Sequence, residues 1–418
     1  MSAAPVILII TVTLLPALTI TSSLSFDVFG FALLSGWLGT GMIAASFLLM
    51  IREPSWATWF GGLQRMYQWH HRLGITGFIL LLMHPLLLAF DYLPLGSTMT
   101  WEYLSPFNFD AVNILGWTAL AIFTLGLAVP FVLHLTYGIW RHLHMSLIIA
   151  MTLGLGHIWT VSGFSTSLMA VLLPAIVSVV WRLLRSDQGV GARPYEVSAV
   201  YHPAEHITET ILRPLAKPIL IAPSQFVSAA FFEGSHFQGC GDFHPYTVSQ
   251  IAKDGSLTLS IKELGNCTRH IQLLEPGVAV RLQGPFGSFL LDRPIAPEVW
   301  IAAGIGLTPF LALLRSQSVT RHTDLIYVHR ESENIPYEKE LQNFATSQTL
   351  LHFQSLAMSN NPAPLFMWLK NIDTLNKKQV YLCGPPLFMA KITKWLKEQG
   401  VPAQHVHFER FDFRQGDS

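Results

Sequence analysis

The feature that most constrains this chain is a series of six apolar stretches in its first half, at residues 4–21, 29–51, 70–90, 111–134, 139–161 and 167–184. A bilayer core about 30 Å thick needs roughly 20 apolar residues in helix, so each stretch is predicted to span a membrane. The first lacks a basic leader and a small-x-small cleavage pattern before Asp27, and is read as a span rather than a signal peptide. Charge follows the same division. Residues 1–190 hold six Arg, no Lys and six acids, out of 26 basic and 26 acidic residues in the 418-residue chain. An apolar half is therefore followed by an aqueous one.

Six spans return the chain to its starting side. Arg52, Arg65, Arg72, Arg141, Arg182 and Arg185 all fall on one face, whereas the other carries Asp27, Asp91, Glu102 and Asp110 and no Lys or Arg. The positive-inside rule puts the Arg face and the polar half in the cytoplasm, as expected of a bacterial inner or plasma membrane protein. A formal net charge of zero with no basic run argues against nucleic acid as a partner. The three cysteines, Cys240, Cys267 and Cys383, form no CxxC pair. The sequence thus encodes neither a disulfide framework nor a zinc site, and the polar half is expected in a reducing compartment.

Residues 186–194 (SDQGVGARP) read as the linker. Short β runs follow at 197–201, 207–212, 226–232, 246–250, 257–262 and 278–282, which predicts a small antiparallel barrel over 195–294. From residue 299 strands at 299–302, 325–329 and 379–383 alternate with helices from Thr308, near 337–345 and from Leu387. That pattern predicts a parallel, Rossmann-like α/β domain over 295–418.

Seven histidines lie in the first 190 residues: His70, His71, His84, His134, His142, His144 and His157. Ionisable groups within a bilayer are costly and usually face a cofactor or pathway. Two on each of two helices suit two bis-imidazole haems stacked across the membrane. His70 and His84 are 14 residues apart, about 21 Å of rise and about 40° from a shared helical line. His71 lies about 140° from His84, so His70 is preferred. On the fifth span ideal geometry leans to His142 with His157, about 60° apart, over His144 with His157.

Residues 70–84 (HHRLGITGFILLLMH) and 144–157 (HMSLIIAMTLGLGH) resemble the ferric reductase/NADPH oxidase family of transmembrane flavocytochromes b. The resemblance implies His70 with His144 for an inner haem b and His84 with His157 for an outer one. It also demands a local irregularity in span five, with Gly154 and Gly156 as its expected sites. In the polar half, His244-Pro245-Tyr246-Thr247 resembles the HPFT-type flavin motif, and Lys262 with the turn to Thr268 resembles the element that meets the flavin pyrophosphate. Residues Gly284 to Gly287 resemble the GPFG turn closing the flavin barrel.

Gly304, Gly306, Thr308 and Pro309 form a GxGxxP turn, in which the glycines admit a pyrophosphate and Thr308 and Pro309 cap the next helix. Arg330 ends a strand where a 2′-phosphate would lie, a lean towards NADPH over NADH. Cys383, Gly384 and Pro385 resemble the family's CGP turn at the nicotinamide, and Phe411, or else Phe413, its terminal flavin-covering aromatic. Cys383, Phe411 and His244 are the expected catalytic group.

The expected fold is a six-helix transmembrane haem bundle over 1–185, a cytosolic β-barrel FAD domain and an α/β NAD(P)H domain. The expected function is electron transfer from cytosolic NADPH through FAD and two haems to an extracytoplasmic acceptor, O2 or Fe3+. The alternative is a membrane-anchored flavin reductase without haem. An apolar outer pocket for O2 is expected among Phe90, Tyr92, Trp101, Trp159 and Phe164, while the outer acids would suit metal cations.

Overall fold

Helix starts in the apolar half are set by side chains that accept orphan backbone N–H groups. Asp27 takes Gly30 N at 2.8 Å, Asp110 takes Asn113 N at 2.8 Å and Ser165 takes Leu168 N at 3.2 Å. The computed structural model describes residues 4–18, 25–108, 110–133, 135, 137–330, 335–358 and 362–409. It divides into two units, Met1–Gln188 and Gly189–Ser418.

In the first unit the helices are α1 (Ala4–Leu18), α2 (Val28–Leu48), α3 (Pro54–Trp59), α4 (Leu63–Tyr92), α5 (Ser97–Leu104), α6 (Ala111–Leu127), α7 (Val129–Val132), α8 (Tyr137–Met145), α9 (Leu147–Ser162) and α10 (Thr166–Trp181). All six apolar stretches contain helix. Four helical segments among the described residues are long and apolar enough to cross a membrane: Val28–Leu48, Leu63–Leu95, Ile139–Ser162 and Thr166–Asp187. The helix α6 ends at Leu127, and helical Ala128 leads directly into the short α7. Within the bundle α2 and α4 touch backbone to backbone, since a Cβ on Gly39 would lie 2.9 Å from Gly77 O and one on Gly77 2.9 Å from Gly39 O.

Arg185 reaches Glu53 at 3.4 Å across 132 residues of sequence. Guanidiniums of Arg52, Arg72 and Arg185 lie over the rings of Tyr67, Trp69 and Trp181 at 5.3–5.9 Å, the cation and aromatic mixture of a membrane interface.

The second unit opens with a closed barrel of order β1-β2-β5-β4-β3-β6. Its strands are β1 (Arg193–Ala204), β2 (Ile207–Pro214), β3 (Phe226–Phe231), β4 (Cys240–Ile251), β5 (Leu257–Lys262) and β6 (Ala279–Phe286), with α11 (Asn266–Ile271) between the last two. Inward residues such as Tyr195, Val197, Leu212, Val248 and Leu259 pack its interior. The lobe that follows comprises β7 (Glu298–Ala303), α12 (Thr308–Ser316), β8 (Thr323–His329), α13 (Glu338–Ser347), β9 (Leu351–Ala357), α14 (Ala363–Lys370), β10 (Gln379–Cys383), α15 (Pro386–Glu398) and β11 (Val406–Glu409). Its parallel sheet runs β11-β10-β7-β8-β9.

One expectation fails here. Cys240 and Cys267 are joined by a disulfide, with Cα atoms 5.5 Å apart. They are 27 residues apart in sequence, and only the closing of the barrel brings the start of β4 to α11. A rule based on local CxxC spacing has no access to that pairing.

At the foot of β7 the fully buried Glu298 accepts from Arg293 Nη1 at 2.7 Å and Trp300 Nε1 at 2.8 Å, with Arg321 Nε 3.8 Å away. Burial still pushes its carboxyl pKa up against both guanidiniums. Removing the acid would strand a nearly buried Arg293. Glu298→Ala is expected to destabilise this unit by about 3–5 kcal/mol, measured by denaturant unfolding of the full chain in detergent with tryptophan fluorescence as the signal.

Candidate functional site

In the membrane unit the structure brings the histidines together in two pairs. His70 and His144 have ring centroids 6.0 Å apart, and His84 and His157 6.4 Å apart. Three of these rings have Nδ1 bonded to a main-chain carbonyl: His70 to Ser46 O at 2.9 Å, His84 to Ala32 O at 2.8 Å and His157 to Val112 O at 2.9 Å. A carbonyl only accepts, so Nδ1 carries the proton and Nε2 keeps its lone pair. The fourth ring, His144, stacks on Trp140 at 5.1 Å.

Glycine makes room for the two deeper rings. A Cβ on Gly36 would lie 3.0 Å from His84 Nδ1, and one on Gly116 3.0 Å from His157 Nδ1. In each case the carbonyl partner is the residue four positions earlier, Ala32 or Val112, so α2/α4 and α6/α9 repeat one device. Histidine spacing pointed to the rings, but sequence reasoning did not find these seats.

These residues fit a bis-imidazole metal. Metal–nitrogen bonds of about 2 Å on opposite sides of one ion place ring centroids about 6 Å apart, the spacing both pairs show. The expected irregularity in span five does not fall at the glycines, since Gly154 and Gly156 lie inside unbroken α9. A single turn residue, Ser146, separates α8 from α9; it keeps helical φ −63° and ψ −14° and the bonds from its N to His142 O and from Ala150 N to its O, both 3.1 Å, while its hydroxyl donates to Leu143 O at 2.7 Å. His134 lies outside the described residues.

Beyond His84 a cavity of about 290 Å3 is walled by Pro85, Leu86, Ala89, Leu93, Trp101, Leu104 and Trp117, among others. Of the five aromatics expected to line an outer pocket, Trp101 does so, while Phe90, Trp159 and Phe164 are exposed.

The second unit gathers its predicted residues around the ends of β4, β5, β7 and β10. Along β4, His244 pairs with Ala229, Pro245 with Ser228, Tyr246 with Val227 and Thr247 with Phe226. Tyr246 points into the barrel, edge-on to Phe231 at 6.1 Å, and Thr247 is buried on the opposite face. Lys262 Nζ lies 3.8 Å from where a Cβ on Gly304 would be. Burial, and then the nearby charge of Arg330, lower the Lys262 pKa, so a second cation lies near the one at the Gly304 turn. Thr268 Oγ1 accepts from Leu264 N at 2.8 Å and Gly265 N at 2.9 Å, which commits that oxygen to holding the turn.

The glycine turns have specific tasks. Gly304 has φ +55°. A Cβ on Gly306 would run into the carbonyl of Cys383, and one on Gly384 would lie 2.8 Å from Ala303 Cβ, so the two turns interlock. Residues Gly304–Leu307 form a 3-10 turn that runs directly into α12. Thr308 therefore stands inside the helix, donating to Ile305 O at 3.0 Å, and is not its cap. Gly284 and Gly287, φ +139° and +91°, close the barrel, Pro385 precedes α15, and Phe411 and Phe413 lie outside the described residues.

The residue missing from the expected site list is Glu409. It pairs with Cys383 across β10 and β11, and its Oε1 lies 3.0 Å from where a Cβ on Gly287 would be. It therefore spans from the nicotinamide-type turn to the flavin-type turn. Its Oε2 is buried with no hydrogen-bond partner among the described residues. Its place two residues before Phe411, the expected flavin-covering aromatic, is the sequence signal for it. Burial raises the carboxyl pKa from 4.5 to about 8, and burial followed by the charge of Glu409 raises that of the Cys383 thiol. The folded chain keeps the Glu409 proton at neutral pH while the unfolded chain loses it above 4.5. This contribution is full below pH 4.5, falls as pH rises towards 8 and is flat above. Glu409→Gln is expected to flatten that part of the pH dependence of thermal unfolding.

Comparison with known proteins agrees with this division. Residues 35–155 match the ferric reductase like transmembrane component, taking in His70, His84 and His144 and stopping just short of His157. Residues 300–394 match the oxidoreductase NAD-binding domain. A ferredoxin–NADP reductase B of Sorangium cellulosum is 27% identical over 189 residues, 40% of this chain and 77% of its own length. The toluate 1,2-dioxygenase electron transfer component of Pseudomonas putida is 26% identical over 44% of this chain and 59% of its own length. A flavohemoglobin from Malassezia yamatoensis superposes over 93% of this chain and 99% of its own, with TM-score 0.51 and 17% identity, a likeness of fold alone. The chain has the architecture of the ferric reductase/NADPH oxidase type, a ferric reductase-like transmembrane component followed by a ferredoxin-reductase-like module.

Proposed function

We propose that the chain is a transmembrane oxidoreductase that passes electrons from cytosolic NADPH, through FAD and two b-type haems, to an acceptor on the opposite face. The observation that carries this reading is the pairing of His70 with His144 and His84 with His157 at 6.0 and 6.4 Å. Bound there, haem would supply one-electron carriers, and FAD the exchange between a two-electron hydride donor and one-electron acceptors.

The remaining work belongs to the chain. Carbonyls of Ser46, Ala32 and Val112 hold three rings in the tautomer that offers Nε2. Lys262, Arg330 and the Gly304 turn form a cationic cradle for pyrophosphate, with Arg330 suited to a 2′-phosphate. Buried Glu409 holds a proton on its carboxyl beside Cys383, whose thiol stays neutral and presents a small wall to the nicotinamide ring.

For the acceptor, the apolar cavity next to Trp101 and Trp117 favours O2 over a charged ferric chelate. Two of the four acids on that face, Asp27 and Asp110, are spent as helix caps.

The reading is tested by anaerobic reduction of the detergent-purified protein with FAD and NADPH, then admission of air. Reduced b-type bands that reoxidise in air with superoxide formation are expected. Absence of haem bands makes the chain an anchored flavin reductase, and haem that stays reduced until ferric chelate is added makes the acceptor iron. His84→Leu should halve the haem content and abolish oxygen reduction while NADPH still bleaches the flavin. Arg330→Ala should raise KM for NADPH about 10-fold or more, the loss of one charge-assisted contact of about 1.5–3 kcal/mol, and raise KM for NADH by a smaller factor, since only NADPH carries the 2′-phosphate.

A further inference from the structure

Cys240 opens β4, His244 follows four residues along the same strand, and Cys267 lies in α11. Both sulfurs and a ring nitrogen of His244 lie within 4.8 Å of one another, and all three residues are half-buried, within reach of a solute. Both cysteines pack against the edge of the barrel core, whose buried residues come mainly from the strands themselves and from α11. Two thiolates and an imidazole are a soft donor set that suits zinc. A sulfur engaged in a disulfide is not a thiolate, so the bond and the ion are exclusive uses of the same atoms.

We propose that Cys240, His244 and Cys267 form a redox-gated site for a soft divalent cation of the zinc class, closed by the Cys240–Cys267 disulfide and opened by its reduction. In the opening step a dithiol reductant delivers two electrons and two protons to the S–S bond, giving two thiols and becoming a disulfide itself. The cation then binds both sulfurs and one imidazole nitrogen and releases the two thiol protons to solvent. A two-electron oxidant that rejoins the sulfurs expels the ion. Zinc–sulfur bonds of about 2.3 Å and zinc–nitrogen bonds of about 2.0 Å need the donors about 3–4 Å apart, within the cluster already assembled once the sulfurs separate. A cytosolic setting keeps thiols reduced, which makes the metal-ready form the resting one.

The site also touches the flavin reading, because His244 opens the HPYT strand and Cys267 precedes Thr268. An ion that holds His244 removes it from the flavin motif and weakens FAD binding. This consequence rests on the FAD reading above, whereas metal binding does not.

The test uses the full chain in detergent, reduced anaerobically with a phosphine, dialysed against Zn2+ and measured by elemental mass spectrometry. One zinc per chain is expected in the reduced protein and none in the oxidised protein, with about 10-fold or greater loss of affinity in Cys240→Ser and Cys267→Ser. Equal zinc content in oxidised and reduced wild type, a comparison that needs no variant to fold, would overturn the proposal, as would a Cys240→Ser protein that binds zinc normally. In the reduced protein, zinc should raise the Kd for FAD about 10-fold. An unchanged Kd with full zinc occupancy overturns the coupling alone, and failure of FAD to bind with or without zinc overturns the flavin reading while leaving the metal site standing.

Discussion

An imidazole in an apolar bundle needs a partner for each nitrogen, and the membrane unit is arranged around that requirement. A buried polar atom left without a hydrogen bond costs on the order of several kcal/mol in hydrocarbon. Helix backbones carry spare acceptor capacity on their carbonyls, and three histidines use it, at Ser46, Ala32 and Val112. To reach a carbonyl on a neighbouring helix, a ring must lie against that helix. Gly36 and Gly116 permit this, and Gly39 with Gly77 brings α2 and α4 together elsewhere on the same pair. Ring orientation, the free Nε2 and the facing pairs all follow from these contacts.

The reductase unit answers a different demand, which is to hold two lobes in a fixed relation. Arg315 of α12 bonds Glu340 at 2.8 Å and Glu209 of the barrel at 3.3 Å, and Tyr337 Oη donates to Ser260 Oγ at 2.9 Å. These groups are largely buried, so the network is little screened and is directional. On the opposite side of the sheet Glu409 joins the end of β11 to the barrel's closing turn. On the proposed reading, this is how the Gly304 turn and the β4 strand keep the separation that hydride transfer requires.

The legible parts were those written in one dimension. Apolar runs, β-branched runs bounded by Gly and Pro, and histidines 13 and 14 residues apart all survive in the sequence, and β5 and β10 fall on their expected residues. Contacts that close only in three dimensions were not legible. The Cys240–Cys267 bond needs the barrel, the Gly36 and Gly116 seats need the helix pairing, and Glu409 needs β11 at the edge of the sheet. Strand β9 escaped because its polar alternation (LHFQSLA) carries little apolar signal. The unbroken helix at Gly154 and Gly156 shows a further limit, since glycine is a permissive residue in a helix and its presence does not by itself make the helix yield.

Geometry also bears on direction across the bilayer. The 14 residues from His70 to His84 rise about 21 Å, some two thirds of a hydrocarbon core of about 30 Å. On the proposed reading the two ring pairs cover most of the field drop, worth about 2.3 kcal/mol per electron for a full crossing at 100 mV. A short outer leg towards the apolar cavity beside Trp101 would then remain. A neutral, apolar acceptor such as O2 enters such a cavity without desolvation cost and leaves it as an anion, if it takes an electron there. With no Lys or Arg on that face, and with Asp91 and Glu102 nearby in sequence, the field favours departure of the anion. On the proposed reading, the same charge pattern that would repel an anionic ferric chelate on arrival would assist release of superoxide.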